Sequence, residues 1–284
     1  MILSDLLDHL ATELAGPGIP PARADARDLI AAVLDQPKFW PSAHPSLELD
    51  AATTRAIREA AARLGRGMPF QYAVGKASFR HLTLCVDPNV LIPREREHDV
   101  HDEFGLGTRG EGEVADVGTG CGAIALALAA EGRFRRVIAT EVSPAALAVA
   151  RRNLGALREE RRAVVDFREG SLLAPLHGER LSAVVANPPY ISPAEAGDLP
   201  SSVRDWEPPL ALFSAEDGMA AIRAFVRDAP AVLEPGGALV LEVDARRAGL
   251  ARDAATGVGR WRDVEIRRDL TGRERFLVAR RKES

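Results

Sequence analysis

Two clusters in this chain combine side chains and spacings suited to chemistry. The first is Asn187-Pro188-Pro189-Tyr190, directly after the apolar run Leu181 to Ala186. That run predicts a buried strand, and the prolines stop it abruptly: proline fixes φ, donates no backbone hydrogen bond and restricts the residue before it. An amide, Asn187, is thereby held at a strand end beside the aromatic face of Tyr190, where open α/β sheets place their ligands. The second cluster, Asp116-Val117-Gly118-Thr119-Gly120-Cys121-Gly122, falls between a predicted strand and a predicted helix. Glycines there let the backbone pass close to a ligand, and the first helical N–H groups have no partners of their own. Glu141 ends the next predicted strand, 23 residues after Gly118, where a carboxylate can take the two ribose hydroxyls of an adenosine. Glycine spacing alone admits a nicotinamide cofactor, S-adenosylmethionine or mere tight packing. The spacing G-x-G-x-G in place of G-x-G-x-x-G, with Asn187-Pro-Pro-Tyr after the fourth predicted strand, favours S-adenosylmethionine.

These residues need a scaffold, and hydrophobic periodicity outlines it. Leu3, Leu6, Leu7, Leu10 and Leu14 fall at helical spacing, as do Leu29, Ile30, Val33 and Leu34, then Ile57, Ala60, Ala61 and Leu64. Proline-rich breaks at 17–21 and 37–45 separate them, which predicts a small N-terminal helical bundle over residues 1–68. At Leu82, Leu84 and Val86 the period changes to two, predicting a β-hairpin linker over 69–105 that ends in a charged helix from Arg94 to Glu103. From 106 to 284 strands and helices alternate. Strands are expected at Val114 to Val117, Val137 to Thr140, Ala163 to Phe167, Leu181 to Ala186 and Ala238 to Val243. Helices are expected at Gly122 to Glu131, Pro144 to Leu157 with Ser143 as N-cap, and Asp217 to Leu233. Such alternation predicts an α/β fold with a Rossmann-like, mostly parallel sheet. Val264 to Arg267 and Phe276 to Ala279 are expected to form an antiparallel hairpin at its C-terminal edge.

Composition narrows the class. At 46% hydrophobic and 27% charged, the 284 residues are ordinary for a globular protein. A net charge of -4 gives no global electrostatic reason to expect a nucleic-acid partner. Acids near the N-terminus and the absence of a long apolar stretch are unlike a secretory signal or a membrane span, and point to the cytoplasm. Cys85 and Cys121 form no C-x-x-C pair, so neither a disulfide framework nor a zinc site is implied. His98-Asp-Val-His101-Asp-Glu103 carries ligand-type residues but reads as a solvated charged face, and no metal is expected.

The motifs, taken together, resemble those of the protein-(glutamine-N5) methyltransferases of the HemK/PrmC family, which are class I enzymes dependent on S-adenosylmethionine. The resemblance runs through Pro69-Phe-Gln71-Tyr72-Ala-Val-Gly75, Leu91-Ile92-Pro93-Arg94, Asp116 to Leu126, Asn187 to Ile191, Glu207-Pro208-Pro-Leu-Ala211 with Asp217-Gly218, and Arg268-Asp269-Leu-Thr-Gly272-Arg-Glu-Arg275. It implies that Asp116, Gly118, Thr119, Gly120, Cys121 and Gly122 surround the cofactor and that Glu141 binds its ribose. Ser171 and Leu172 would lie against the adenine, and Asn187 would touch both cofactor and substrate. It further implies S-adenosylhomocysteine as product, Asn187, Pro188, Pro189 and Tyr190 as the catalytic and substrate-binding set, and a translation release factor as protein partner, entering by its Gly-Gly-Gln loop. The N-terminal bundle would help to recognise that substrate. The chain departs from the family pattern at Glu95-Arg96-Glu97-His98, where Pro-x-Thr-Glu is usual, at Ser171 in place of an acid, and at Glu242-Val243-Asp244 in place of Glu-Ile-Gly.

A glutamine amide is a poor nucleophile because its nitrogen lone pair is delocalised into the carbonyl. The expected chemistry is therefore orientation: Asn187 Oδ1 and the Pro188 carbonyl accept the two N–H hydrogens while Tyr190 packs on the amide plane. The alternative reading is an N-methyltransferase acting on an exocyclic amino group of adenine or guanine, which poses the same lone-pair problem but usually calls for a basic channel. A different protein glutamine, as in a ribosomal protein, is a narrower variant. A cofactor-retaining scaffold without turnover would have no use for both motifs, and a nicotinamide oxidoreductase leaves Asn187 to Tyr190 unexplained.

Overall fold

The computed structural model describes residues 1–15, 23–94 and 112–283. The expected helix from Arg94 to Glu103 lies outside them from residue 95 onward, as do His98 and His101. The chain forms two compact units, Met1–Lys76 and Ala77–Ser284.

The first unit is helical, with helices Leu3–Ala15, Arg23–Val33, Trp40–Ala43, Ala51–Gly65 and Phe70–Val74. Its core is the set the periodicity picked out: Leu3, Leu6, Leu10, Leu29, Ile30, Ile57 and Ala60, with Leu14, Val33, Leu34 and Leu64 packed at its margin. Asp50 caps the fourth helix by accepting from Thr53 N at 2.7 Å, which satisfies a donor the helix leaves open. Tyr72 is buried within the last helix, which Gly75 closes in the left-handed conformation at φ 74°.

In the second unit a two-stranded sheet, β1 (Lys76–Phe79) and β2 (Leu82–Cys85), precedes a seven-stranded one. The latter comprises β3 (Glu113–Val117), β4 (Arg136–Glu141), β5 (Val165–Glu169), β6 (Leu181–Ala186), β7 (Leu233–Glu242), β8 (Trp261–Arg268) and β9 (Glu274–Arg281), in the order β5-β4-β3-β6-β7-β9-β8. The first five strands in that order pair in parallel; β9 runs antiparallel between β7 and β8, so the C-terminal hairpin does sit at the edge. Every residue of β6 is buried, as a strand covered on both faces requires. From β3 the chain winds outward through β4 and β5, then returns to lay β6 on the other side of β3. That reversal opens a crevice at the carboxyl ends of β3, β4 and β6, which are the ends that carry both motif clusters.

Two expectations required adjustment. The helix predicted from Asp217 to Leu233 runs only from Ala220 to Asp228, continues as a 3-10 turn over Ala229–Ala231, and gives way to β7 at Leu233. Glu216 and Asp217 are left-handed, and Pro230 cannot continue an α-helix. The strand expected from Ala238 to Val243 begins earlier, at Leu233, and takes in Pro235, Gly236 and Gly237 as a bulge inside β7: the pairing steps from Leu181↔Leu233 to Ala183↔Ala238. Helix Ala248–Val258, whose alanines 248, 251 and 255 are buried, was not anticipated. Among the described residues no helix is long and apolar enough to cross a membrane.

Candidate active site

The glycine loop is held in place before any ligand arrives. Gly118 N and Thr119 N both donate to the Thr140 carbonyl, at 2.9 and 3.0 Å. Gly118, Gly120 and Gly122 have φ of 76°, 56° and 87°, a region that side-chain-bearing residues avoid. Asp116 ties the loop to the helix behind it: its Oδ2 accepts from Thr119 Oγ1 at 2.6 Å and from Ala125 N at 3.0 Å. Burial pushes the Asp116 carboxyl up to about 6, against the lowering by those two donors and with a further push from Glu141. Glu141 accepts from Gly120 N with Oε2 and from Ser143 N with Oε1, each at 2.9 Å, so it braces the loop and the start of the next helix together.

A buried amide that the sequence did not single out completes this brace. Asn153, at the end of helix Pro144–Asn153, donates from Nδ2 to the carbonyls of Cys85 and Cys121, at 2.9 and 2.8 Å, and accepts from Cys85 N at 2.7 Å. It links β2 to the glycine loop. The signal was available: Asn153 continues the buried face of Ala146, Leu147, Val149 and Ala150 with a polar group. Cys121 itself is buried and Cys85 exposed, and the two are not joined in a disulfide.

A cavity of about 580 Å³ opens beside the loop. Its floor carries Gly118, Thr119, Gly120, Cys121, Glu141, Ser171 and Leu172; Asn187, Pro188 and Pro189 form another side. The rim adds residues from two segments recognised only as sequence motifs, among them Leu91, Pro93, Pro208 and Leu210. Asp116, Gly122 and Tyr190 stand behind this surface. Tyr190 donates from its hydroxyl to Glu242 Oε1 at 3.0 Å, and its ring packs on the core of the second unit. Glu242 lies 4.0 Å from Arg275, which lies 3.7 Å from Asp269, so the Arg268-to-Arg275 motif reaches the tyrosine through buried charges. Trp206 is half-buried and off the cavity surface, while Glu207 next to it is buried and accepts from Arg94 Nη2 at 3.1 Å.

The donor set fits an adenosyl cofactor. A Cβ added at Gly118 or Gly120 would meet nothing within 4 Å, so the loop presents bare backbone on the cavity side. The volume lies within the roughly 300–1,000 Å³ range of small-molecule sites. Among the described residues no group of three or more His, Cys, Asp or Glu is arranged to hold a metal.

The sheet order, the glycine loop at the end of β3 and the acid at the end of β4 define a Rossmann-like methyltransferase. Residues 105–199 match the model of the methyltransferase small domain and residues 5–75 that of the PrmC N-terminal domain. A methyltransferase from Pyrococcus furiosus shares the fold at a TM-score of 0.52 and 20% identity, over 71% of this chain and 89% of that one. Two curated relatives, from Moorella thermoacetica and Deinococcus radiodurans, are each 39% identical. They align over all of both chains and over 99% of both, respectively, and each is named release factor glutamine methyltransferase. The chain belongs to the release factor glutamine methyltransferase family.

Proposed function

We propose that this protein transfers the methyl group of S-adenosylmethionine to the side-chain amide nitrogen (N5) of a glutamine in a translation release factor, in the cytoplasm, leaving S-adenosylhomocysteine. The observation that carries the reading is the convergence of Asn187 and Pro188 with the glycine loop and Glu141 on one cavity. Gly118 to Cys121 and Glu141 would hold the cofactor, with Ser171 and Leu172 against its base; bound there, it supplies an electrophilic sulfonium methyl. Asp116 and Gly122 support the loop from behind.

Asn187 Oδ1 and the Pro188 carbonyl accept the two amide hydrogens of the glutamine and turn its nitrogen toward the methyl donor. Two consecutive prolines fix the backbone of that acceptor pair, so little reorganisation is needed on binding. Positioning of this kind supplies roughly 7–11 kcal/mol in favourable cases, and fixed dipoles stabilise the positive charge that builds on nitrogen. No strong base is required before transfer, because the amide proton becomes acidic only once the nitrogen is alkylated. Tyr190, expected from the sequence to lie on the amide plane, serves in this reading as the anchor of the loop through Glu242.

The test is mass spectrometry of a bacterial release factor after incubation with the protein and S-adenosylmethionine, alongside a release factor whose Gly-Gly-Gln glutamine is alanine. One added methyl on that glutamine, and none on the alanine control, is the expected result. Asn187→Ala is expected to abolish turnover and retain cofactor binding. Methylation of an RNA pool in place of the release factor would move the assignment to the amino-nitrogen alternative.

A further inference from the structure

The cofactor side of the cavity is braced by Asp116, Glu141 and Asn153. The acceptor side has a separate brace, at a residue outside every recognised motif. Arg247, buried at the entry to helix Ala248–Val258, donates from Nε to the Asp217 carbonyl and from Nη2 to Glu195 Oε2, both at 2.6 Å. Its Nη1 stands 3.5 Å from Asp244 Oδ1. The two acceptors belong to the two segments that flank Asn187 to Tyr190 in space.

One segment directly follows the tyrosine. Glu195 Oε2 also accepts from Ser192 N at 2.9 Å, closing a capping box on the turn Pro193–Asp198. The other segment is a left-handed run, Glu216, Asp217 and Gly218, with φ of 53°, 55° and 86°. Two successive non-glycine residues in that region cost free energy, which surrounding contacts must offset. The Arg247 bond to the Asp217 carbonyl is such a contact. A Cβ on Gly218 would stand 2.2 Å from the Tyr190 carbonyl and 2.5 Å from Arg247 Nε, so Tyr190, Gly218 and Arg247 are stacked without spare room. Main-chain bonds complete the clamp: Ile191 N donates to the Leu212 carbonyl at 3.0 Å and Ser214 N to the Ile191 carbonyl at 2.8 Å. The strip they fasten, Pro208 to Ala211, lines the cavity.

We infer that Arg247 is a positioning residue for methyl transfer: its guanidinium locks the Ser192–Glu195 turn and the Glu216–Gly218 turn together, and so fixes Asn187-Pro188-Pro189-Tyr190 and the Pro208–Ala211 wall for the incoming glutamine. The inference rests on the proposed function and assigns a residue to the acceptor half of that site. Arginine suits the position because its planar fork serves two acceptors in fixed geometry, and a lysine ammonium at the same place reaches only one of them well.

The experiment compares wild type with Arg247→Lys and Glu195→Gln, with Trp261→Phe as a destabilised control that loses the Trp261 Nε1 bond to the Val226 carbonyl and part of the buried indole volume. Readouts are release-factor methylation and calorimetric S-adenosylmethionine binding, with its stoichiometry. Arg247→Lys is expected to lower kcat on the order of 10²-fold, the scale of a misplacement of about 1 Å. Glu195→Gln, which keeps a neutral acceptor for Arg247, is expected to lose about tenfold. Cofactor affinity and stoichiometry stay within about twofold in both, and Trp261→Phe keeps its kcat. A normal kcat in Arg247→Lys overturns the inference, as does a loss of cofactor binding in step with rate, which would mark general unfolding. Wild type that binds cofactor and leaves the release factor unmodified overturns the proposed function first, and the inference with it.

Discussion

Replacing Asp116 by asparagine isolates what a buried charge under the glycine loop costs. The carboxylate is 1% exposed; its Oδ2 accepts two hydrogen bonds, while Oδ1 has no partner among the described residues. An asparagine in the same rotamer keeps both acceptor bonds through its oxygen and puts its amide at the unpartnered position. The charge is removed, and an amide donor without a partner stands where a carboxylate oxygen stood, a cost that does not vary with pH. Burial raises this carboxyl from its ordinary 3.8 to about 6, which at about 1.4 kcal/mol per pH unit corresponds to about 3 kcal/mol. The sign follows from proton counting. Between pH 3.8 and 6 the folded protein holds the proton that the unfolded chain has already released, so this group lowers stability as pH rises through that window, and its full penalty stands above pH 6. Asp116→Asn is therefore expected to be more stable than wild type, by a margin that grows by about 1 kcal/mol from pH 5 to pH 7 and then levels off. Urea unfolding of both proteins at half-unit intervals from pH 5 to 8, followed by a probe of the second unit, measures the margin. Parallel stability curves across that range would refute the reasoning. The variant is also expected to bind S-adenosylmethionine, a net cation, more weakly than wild type at pH 7 and with less dependence on pH. Binding unchanged at pH 7 would show that the charge is idle in cofactor recognition.

Other outcomes can be checked on the same protein. Asn153→Ala strips partners from Cys85 N and from the Cys85 and Cys121 carbonyls, and is expected to cost about 2–3 kcal/mol and weaken cofactor binding severalfold; denaturant unfolding and calorimetry read the two effects. Gly122→Ala places a Cβ at φ 87° with Leu126 Cδ1 3.2 Å away, and is expected to raise the cofactor Kd at a stability cost of about 1–2 kcal/mol. At the opposite end of the strands, Arg136 pairs with Glu113 and Glu179, and Arg168 with Asp166 and Glu179. Burial there opposes ionisation, but the two guanidinium groups outweigh it and hold the Glu179 carboxyl below its usual range. The stabilisation is present above pH 4.5 and fades as acid protonates the group. Glu179→Gln is thus expected to destabilise at pH 7, by a margin that shrinks as the pH is lowered below 4.5, by the same unfolding assay.

Legibility differed sharply between the two sides of the cavity, for a physical reason. The cofactor side is local in sequence. Glycines at 118, 120 and 122 are needed because the backbone itself adopts positive φ there, and Glu141 sits one strand on, so type and spacing sufficed to name the loop and the acid. The strands were equally plain, since burial on both faces leaves an unbroken apolar run such as Leu181 to Ala186. Tyr190 was legible as a motif member, but its hydroxyl contact was not. Its hydroxyl partner, Glu242, is 52 residues away, and no periodicity encodes a contact at that separation.

On the acceptor side Asn187 to Tyr190 are contiguous, but the contacts that hold them in place are mostly non-local, and these polar supports sit where sequence patterning expects surface. Glu195, Asp244 and Arg247 read one by one as solvated charges, the usual condition of such residues. They become a clamp only because β7 delivers Asp244 and Arg247 beside a turn that begins two residues after Tyr190. The tight stack at Gly218 is hidden in the same way: the sequence from Asp217 onward reads as a helix, whereas the 2.2 Å between a notional Cβ and the Tyr190 carbonyl exists only after the sheet has formed. This division has a functional consequence. If the acceptor half is assembled by long-range polar contacts and the cofactor half by local backbone geometry, substitutions in the first should change which glutamine is methylated, and how fast, while leaving cofactor affinity alone. Substitutions in the second should move cofactor affinity for every substrate alike. The departures at Ser171 and at Glu242-Val243-Asp244 fall on opposite sides of that line, so restoring an acid at Ser171 is expected to change the cofactor Kd, and Asp244→Gly to change kcat with the release factor. Either change appearing in the other parameter would dissolve the division.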